Sequence, residues 1–488
     1  MNNPEQNSRP LLAALRRWKM WRARCETIAR TKEALLKYRG NPMPSTSSGN
    51  KPHFTVQEFL QRQIAPTTGC TEPVAVALGA AAAASLLPAE ESVREIRVGV
   101  DPNVYKNGLG VMIPGTGGLR GLDLAAALGA VCGDPALGLQ LLWHTNTEGL
   151  SAARNLVEQQ AVRVTLQDDA NSLFIQTQIR TPHHFYESQI RDHHDNLVSL
   201  TCQGREVESD LLSGATQGLH ENEARDIDSW LRELSLEEIL QMLDHLGQKD
   251  LDFLRQGMEM NMTLAEYGLA HAPGHGVGAH LAALQKDGPS GGDMERTAQI
   301  WTAAAADARM AGAELPAMSS AGSGNNGLTA MLPLRAVQQV VSVPERTILE
   351  GVCLSHMINA MIKAHLGRLS AVCSCSVAAG SGAAAGITRV LGGEREAISA
   401  SVTNVVEDLA GVLCDGAKPS CALKLATAAG SAVRSARLAL RGVQIHSSEG
   451  IAGENLEQTL HYLGRLGKSG FSSLNRAILD TMLCKGQP

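Results

Sequence analysis

Cysteine is the residue type whose number and spacing in this chain first indicate chemistry. The sequence holds ten cysteines, and half of them fall between Cys353 and Cys421. Thiolates are the ligands that soft metals and iron–sulfur clusters prefer, so this concentration predicts a metal or cluster site. The structural alternative is that a core of small residues accepts cysteine as another small apolar side chain. Composition alone leaves these two interpretations evenly balanced.

The segment CDGAKPSC places Cys414 and Cys421 at the ends of a loop that contains glycine and proline. Such a loop can fold both sulfurs onto one centre, and its spacing differs from the C-x₂-C pattern typical of zinc. The segment Cys-Ser-Cys supplies a third sulfur from Cys373 or Cys375. Three protein thiolates on a four-iron cluster leave one iron open, and an open metal position can act as a Lewis acid.

Cys70 stands in the turn PTTGCTEP, directly before an alanine-rich run with helical character. A thiol at a helix N-terminus faces backbone N–H groups that stabilise its thiolate, so we expect the pKa of Cys70 to be lowered. Gly69 beside it allows a substrate to approach closely. These features predict a reactive thiol that acts as nucleophile or general base. The alternative is a small residue packed at a helix start.

The loop MSSAGSGNNG combines hydroxyl groups, amides and glycines. These groups suit an anion pocket, and we expect the loop to hold the carboxylate of an amino acid. The predicted contacts are Ser320, Ser323, Gly324 and Asn325. The loop lacks the lysine of a nucleotide-binding P-loop. Ordinary tight packing of a glycine-rich loop is the alternative.

Two pairs of histidines, His183-His184 and His193-His194, are also candidate metal ligands. They lie in a polar stretch of the sequence, and we expect them to face solvent rather than to bind metal. The sequence has no segment that resembles a lysine-centred pyridoxal phosphate site.

The elements that must position these residues differ between the two halves of the chain. FTVQEFLQRQI and the alanine-rich run after Cys70 predict helices, whereas VREIRVGVD, AVRVTLQ, LFIQTQIR and LVSLTCQG predict strands. We therefore predict an α+β fold with a mixed first half and a glycine- and alanine-rich, mainly helical second half that carries an iron–sulfur site. The predicted organisation is a basic extension and linker at 1–52, an α+β region with Cys70 at 53–235, and a cluster-binding helical region at 236–488.

The composition limits the partners and the compartment. Hydrophobic residues make up 44% of the chain and aromatic residues only 3%, so the core must be built from small and aliphatic side chains. The net charge of −6 favours neither nucleic acid nor an anionic membrane as a partner. No apolar run reaches the roughly 18 residues that span a bilayer, and the polar start shows no secretory signal. We expect a cytoplasmic protein with free or ligating thiols and a small-molecule substrate. The oligomeric state stays open, and a homodimer is one alternative.

These motifs together resemble those of one family. GCTEP, VYKNGLGVMIPGTG, MSSAGSGNNGL, GRLSAVC, CDGAKPSCALK and SSEGI are similar to the successive signatures of L-cysteine desulfidases, a group long catalogued as uncharacterised and related to the serine dehydratase α chain. The similarity runs from about Phe54 to the C-terminus. It implies a lyase that uses a [4Fe–4S] cluster, without pyridoxal phosphate, to convert L-cysteine to pyruvate, ammonia and hydrogen sulfide.

The resemblance also implies roles for particular residues. Cys70 would be the catalytic base, and the cluster ligands would be Cys414, Cys421 and one of the pair Cys373/Cys375, with Cys373 favoured. The chain departs from the family at Asn326, where a glutamine is expected. Two other functions remain open at this stage: an L-serine dehydratase on the same scaffold, and a non-catalytic sensor that uses the cluster as a switch.

Overall fold

The structure of the protein is a computed structural model that describes residues 53–167, 173–212, 227–286, 293–367 and 371–485. The predicted extension and linker at 1–52 lie outside these ranges. All described residues belong to one compact unit, Pro52–Pro488. The predicted boundary near residue 235 stays a prediction.

The first half mixes helices and strands. Its helices are α1 (Val56–Gln63), α2 (Thr71–Ala84), α3 (Pro102–Gly108), α4 (Leu122–Cys132) and α5 (Thr147–Glu158), with a 3₁₀ segment at Pro135–His144. Its strands are β1 (Pro66–Thr68), β2 (Glu95–Val100), β3 (Val162–Leu166), β4 (Phe174–Arg180), β5 (Phe185–Arg191), β6 (Leu197–Cys202) and β7 (Arg205–Glu206). A further helical stretch covers residues 227–233.

The second half is mainly helical. Its helices are α6 (Leu236–Leu243), α7 (Gln248–His271), α8 (Val277–Lys286), α9 (Met294–Met310), α10 (Gly324–Gln338), α11 (Glu345–Leu366), α12 (Ser374–Val390), α13 (Arg395–Leu409), α14 (Cys421–Ala439), α15 (Leu456–Arg465) and α16 (Ser472–Cys484). Strand β8 (Pro316–Met318) precedes α10, and a π-helical turn at Leu466–Gly470 joins the last two helices. The predicted mixed first half and helical second half are confirmed.

Strands β2 to β7 form one sheet in the order β3-β2-β4-β5-β6-β7. Strand β2 runs parallel to β3, and the other neighbouring strands are antiparallel. Helix α2 covers the buried face of this sheet, where the Ser188 hydroxyl donates a hydrogen bond of 2.7 Å to the carbonyl oxygen of Gly79. The sheet therefore supports the helix that begins directly after Cys70.

Small residues let the helices pack closely, as the composition predicts. A Cβ at Gly129 of α4 would collide with the carbonyl of Ala77 in α2, and a Cβ at Gly382 of α12 would collide with the carbonyl of Ser355 in α11. Backbones that approach this closely leave no room for large side chains. This close packing fixes the positions of the helices.

Most elements expected from the sequence are present. The predicted helix in FTVQEFLQRQI is α1, and the four predicted strands are β2, β3, β4 and β6. Strand β5 was missed, because Ser188 occupies one of its buried positions and interrupts the apolar alternation.

Candidate active site

A cavity of about 480 Å³ collects side chains from all the cysteine motifs of the sequence. Cys70, Cys373, Cys375, Cys414 and Cys421 lie on its wall. The wall also includes polar and charged side chains, among them Glu72, Asn107, His194, Arg309, Asn325 and Lys363. This volume is typical of a small-molecule site.

The short antiparallel pair β1–β8 joins the Cys70 turn to the serine–glycine loop. Pro66 pairs with Met318 at one end of this ladder, and Thr68 pairs with Pro316 at the other. Beyond it, the backbone N–H of Ser319 donates a hydrogen bond of 2.8 Å to the carbonyl of Ala65. The pairing thus brings together two motifs that lie far apart along the chain.

A tight turn then starts helix α10 at the cavity. The backbones of Ser320 and Ser323 exchange hydrogen bonds of 3.0 and 3.1 Å. Between them, Ala321 has φ 46° and Gly322 has φ 77°. Two successive positive φ values characterise a type I′ turn, which favours glycine. Ser323 then caps the helix by accepting a hydrogen bond from the N–H of Asn326.

The Cys70 thiol donates a hydrogen bond to Glu72 Oε2, with 2.8 Å between sulfur and oxygen. Cys70 precedes the first residue of α2 and is only 5% exposed. Burial and, next, the charge of Glu72 raise the pKa of Cys70 well above the ordinary value, although Arg309 acts in the opposite direction. The expectation of a lowered pKa is therefore wrong, because loss of water and a neighbouring carboxylate outweigh the helix N-terminus. Cys70 is a neutral thiol held by Glu72.

Glu72 is itself buried at 7% exposure. Asn107 donates a hydrogen bond of 3.1 Å to its Oε1, and His194 Nε2 lies 4.0 Å from the same oxygen. Burial alone would raise the pKa of Glu72, but the effects of His194, Cys70 and Asn107 outweigh it and lower this pKa. Glu72 is thus a carboxylate that faces the cavity.

The expectation that the histidine pairs face solvent is confirmed for His183 and His184, which are exposed. It is wrong for His194, which follows strand β5 and lines the cavity beside Glu72. Burial lowers the pKa of His194, which favours its neutral imidazole. Its position depends on the sheet topology, so the polar local sequence gave no sign of it.

Arg309 is a charged residue of the site that the sequence analysis missed. It lies near the end of α9, is 4% exposed and lines the cavity. Its guanidinium donates to the carbonyl of Gly69 over 2.5 Å and to Asn325 Oδ1 over 3.0 Å. Both acceptors are neutral, and no carboxylate of the described residues forms an ion pair with it. An arginine in an alanine-rich helix was the available signal, because burying an unpaired charge is costly.

The four residues predicted to contact a carboxylate differ in their position relative to the cavity. Ser323 and Asn325 line the cavity, and Asn325 also holds Arg309. Gly324 packs against that arginine, since a Cβ here would collide with the guanidinium Nε. Ser320 is 1% exposed and lies outside the cavity wall.

A buried polar network surrounds Ser320. Its hydroxyl accepts a hydrogen bond of 2.8 Å from Asn359 and lies 2.7 Å from His356 Nδ1. Asn359 in turn accepts a hydrogen bond from Asn326, whose own side-chain oxygen accepts one from Ser374. Asn326, where the family pattern has glutamine, therefore links the serine–glycine loop to the segment between Cys373 and Cys375.

Two chain segments position the remaining thiols. The N–H of Cys373 donates to the carbonyl of Val412 over 2.8 Å, and the N–H of Cys414 donates to the carbonyl of Ala371 over 2.7 Å. Cys373 precedes the first residue of α12, and Cys421 begins α14. The loop between Cys414 and Cys421 packs against α3, where a Cβ at Gly416 would collide with the Lys106 carbonyl.

These thiols influence one another electrostatically. A hydrogen bond from Cys375 lowers the pKa of Cys373, and the same bond raises the pKa of Cys375. Burial and then the charge of Cys373 raise the pKa of Cys421 to about 11. Burial also raises the pKa of Cys414, while the buried cation of Lys106 opposes this effect. The four sulfurs therefore share one region of the cavity.

The donor set on the cavity wall consists of free thiols, which are the ligands that iron–sulfur clusters use. Within the described ranges, no three His, Cys, Asp or Glu side chains are placed to hold one metal ion. A four-iron cluster differs from a single ion because each thiolate binds a different iron, which sets the sulfurs further apart. All cysteines of the described residues are free thiols. Cys373, Cys414 and Cys421 can therefore hold such a cluster, with Cys375 as an alternative to Cys373.

Comparison with known proteins identifies the family. The sequence profile of the serine dehydratase alpha chain matches residues 149–480. The chain belongs to the serine dehydratase α-chain family. A UPF0597 protein of Desulfatibacillum aliphaticivorans is 48% identical over 88% of this chain and 98% of its own length. UPF0597 proteins of Desulforapulum autotrophicum and Clostridioides difficile are 46% and 38% identical, over 89% and 87% of this chain and 98% of their own lengths.

The match to the serine dehydratase α-chain profile includes Arg309 and the thiols from Cys373 to Cys421, whereas Cys70 and Glu72 lie before its first residue. The cavity of this family member is thus built from the matched region, from the preceding Cys70 turn and from helix α3, which contributes Asn103 and Asn107. Among the helices of the described ranges, none is long and apolar enough to cross a membrane.

Proposed function

We propose that this protein is an L-cysteine desulfidase, which eliminates sulfide from L-cysteine and forms pyruvate and ammonia. The observation that carries the proposal is the common cavity of Cys70 and the cluster-type thiols Cys373, Cys414 and Cys421. An amino acid in this cavity can present its α-hydrogen to Cys70 and its leaving group to the other thiols. Membership in the serine dehydratase α-chain family supports an elimination reaction of this type.

A [4Fe–4S] cluster bound to Cys373, Cys414 and Cys421 would supply a thiophilic Lewis acid that makes sulfide a better leaving group. Two lysines near these thiols would offset the negative charge of such a group. Lys106 is a buried cation near Cys414, and Lys424 donates hydrogen bonds to the Leu413 carbonyl and to Asp415. Such surrounding cations and hydrogen bonds stabilise thiolate ligands.

Cys70 acts as the base in this proposal. Its thiol proton, which is hydrogen-bonded to Glu72, must first be released to solvent. The thiolate then removes the α-proton, the electrons of the Cα–H bond form a Cα=Cβ double bond, and the Cβ–S bond breaks with release of sulfide. The aminoacrylate product tautomerises to an imine, and water hydrolyses the imine to pyruvate and ammonia.

An L-serine dehydratase is the second candidate, because the matching profile is that of the serine dehydratase alpha chain. The same residues would then expel water instead of sulfide. A non-catalytic sensor is less well supported, because a sensor needs cluster ligands but no buried thiol–carboxylate pair such as Cys70 and Glu72.

The test is anaerobic purification followed by a visible absorption spectrum, iron analysis, and assays of sulfide and pyruvate with L-cysteine and with L-serine. Sulfide and pyruvate in equal amounts from L-cysteine, at a higher kcat/KM than pyruvate from L-serine, would support the desulfidase. The opposite preference would support the dehydratase, and a protein with full iron content but no turnover would support the sensor.

Two variants make this test specific. Cys70→Ser should retain the iron and the visible spectrum but lose turnover by about 10²- to 10⁴-fold, the usual contribution of a general base. Cys202→Ser changes a thiol on strand β6, outside the cavity wall, and should behave as the wild type. Wild-type activity in Cys70→Ser would show that the base is another group.

A further inference from the structure

The cavity holds two buried charged groups: Arg309, which forms no ion pair within the described ranges, and Glu72, whose one ion-pair contact there is the His194 imidazole at 4.0 Å. We propose that Arg309 and Glu72 are the two ends of a receptor for the zwitterion of an α-amino acid, with Arg309 binding the carboxylate and Glu72 the α-ammonium group. The proposal rests on the proposed function for the reaction, but it concerns ligand binding and can be tested without turnover.

Arg309 meets the requirements of a carboxylate receptor. A guanidinium has five N–H donors and pairs with carboxylates through two parallel hydrogen bonds. Within the described ranges, two neutral oxygens, those of Gly69 and Asn325, accept hydrogen bonds from it. Its Nε is buried and has no hydrogen-bond partner in the described residues. These contacts fix the orientation of the guanidinium and leave its charge uncompensated.

Glu72 meets the requirements of an ammonium receptor. Its hydrogen-bond donors are the thiol of Cys70, the hydroxyl of Thr71 and the amide of Asn107, all of them neutral. His194 Nε2 lies 4.0 Å from Glu72 Oε1, beyond hydrogen-bond distance, and burial lowers the pKa of this imidazole although the charge of Glu72 opposes that effect. A carboxylate at 7% exposure with no cation within hydrogen-bond distance in the described part of the chain is costly to bury. A positively charged ligand group would remove this cost.

The turn at Gly69 and Cys70 contacts both charged groups. Cys70 donates its hydrogen bond to Glu72, and Gly69, its neighbour in sequence, accepts the hydrogen bond of Arg309. In an α-amino acid the ammonium and carboxylate groups are both attached to Cα. A zwitterion that spans Glu72 and Arg309 would therefore place its Cα–H next to the sulfur of Cys70, where the proposed proton transfer takes place.

Ligand binding would also change the state of Cys70. The negative charge of Glu72 raises the pKa of Cys70. An ammonium group on Glu72 would offset that charge and so favour the thiolate when the substrate is present. The receptor would thus hold Cys70 as an unreactive thiol until an amino acid binds.

The test uses the full chain, purified anaerobically, and three probes that cannot undergo elimination. L-alanine carries both charged groups, L-alaninamide lacks the carboxylate, and propionate lacks the ammonium group. Dissociation constants come from calorimetry. The wild type should prefer L-alanine to either of the other probes by about ten- to a hundred-fold, the usual range for hydrogen bonds to charged groups.

The variants Arg309→Met and Glu72→Gln should then fail in complementary ways. Arg309→Met should weaken the binding of L-alanine by about ten- to a hundred-fold and leave the binding of L-alaninamide nearly unchanged. Glu72→Gln should weaken the binding of L-alanine but leave the binding of propionate nearly unchanged. The exposed residues Arg389 and Glu394 provide matched controls, and Arg389→Met and Glu394→Gln should bind as the wild type does.

An Arg309→Met variant that still prefers L-alanine to L-alaninamide would overturn the proposal. If that variant does not fold, Arg309→Gln, which keeps a polar side chain, decides by the same comparison. An equal loss of affinity for all three probes in both variants would indicate a purely structural role for the two residues and would also overturn the proposal. A wild type that shows the expected preferences but forms no sulfide or pyruvate would refute the proposed function and leave the receptor standing.

Discussion

The thiol of Cys70 and the carboxylate of Glu72 form a buried hydrogen bond of 2.8 Å across one intervening residue. This bond places a neutral thiol, rather than a thiolate, at the N-terminus of helix α2. The candidate base is therefore held in its protonated form by the Glu72 carboxylate, and its activation depends on a change at Glu72.

Glu72→Gln should lower the pKa of Cys70. The substitution removes a negative charge that raises this pKa, whereas burial, the largest cause, remains. The alkylation rate of Cys70 with iodoacetamide, followed by mass spectrometry of its peptide, should therefore rise at a lower pH in the variant than in the wild type. Cys353, which is fully buried, should stay unreactive in both proteins. If the alkylation rate of Cys70 depends on pH as in the wild type, or rises only at a higher pH, Glu72 does not control the pKa of this thiol.

Gly324→Ala should displace Arg309. A Cβ at this position would collide with the guanidinium Nε, and overpacking of this kind costs about 1–3 kcal/mol. We expect this loss in urea unfolding, together with weaker L-alanine binding. Gly380→Ala is the control, because its Cβ would lie 3.5 Å from Val405 in ordinary contact. It should be neutral or stabilising by up to about 1 kcal/mol, and equal losses in both variants would contradict the prediction.

The third cluster ligand can be assigned by comparing Cys373→Ser with Cys375→Ser. Cys373 accepts a hydrogen bond from Cys375 that lowers its pKa, so its thiolate forms more readily. We expect Cys373→Ser to lose iron and visible absorption, and Cys375→Ser to retain both. Iron content per chain after anaerobic reconstitution is the measurement. Loss of iron in Cys375→Ser alone would assign the ligand to Cys375 instead.

Asp307→Asn should change how stability depends on pH. Burial raises the pKa of Asp307 from 3.8 to about 6, although His275 and His280 oppose the shift. Because the folded-state pKa is raised, the protonated form favours folding at low pH, and this contribution is lost as pH rises through about 6. The variant should therefore gain stability relative to the wild type across this window, as measured by urea unfolding at several pH values. A constant difference between the two proteins would refute the assignment.

Much of the local structure could be predicted from the sequence. The apolar periodicity around Val56–Gln63 and the alternation in Phe174–Arg180 identified a helix and a strand, because such patterns depend on neighbours along the chain. The spacing of Cys414 and Cys421 identified a loop that can present both sulfurs. The sequence alone thus determined the α+β character, the small-residue core and the candidate thiols.

The tertiary structure decided which of these pieces share a site. Arg309 and His194 belong to no motif, and they reach the cavity through the pairing of β1 with β8 and through the topology of the sheet. The pKa of Cys70 was expected to be low from its position at a helix start and is raised instead. Burial and nearby charges set such a pKa, and both arise from segments distant in sequence, so local patterns cannot reveal them.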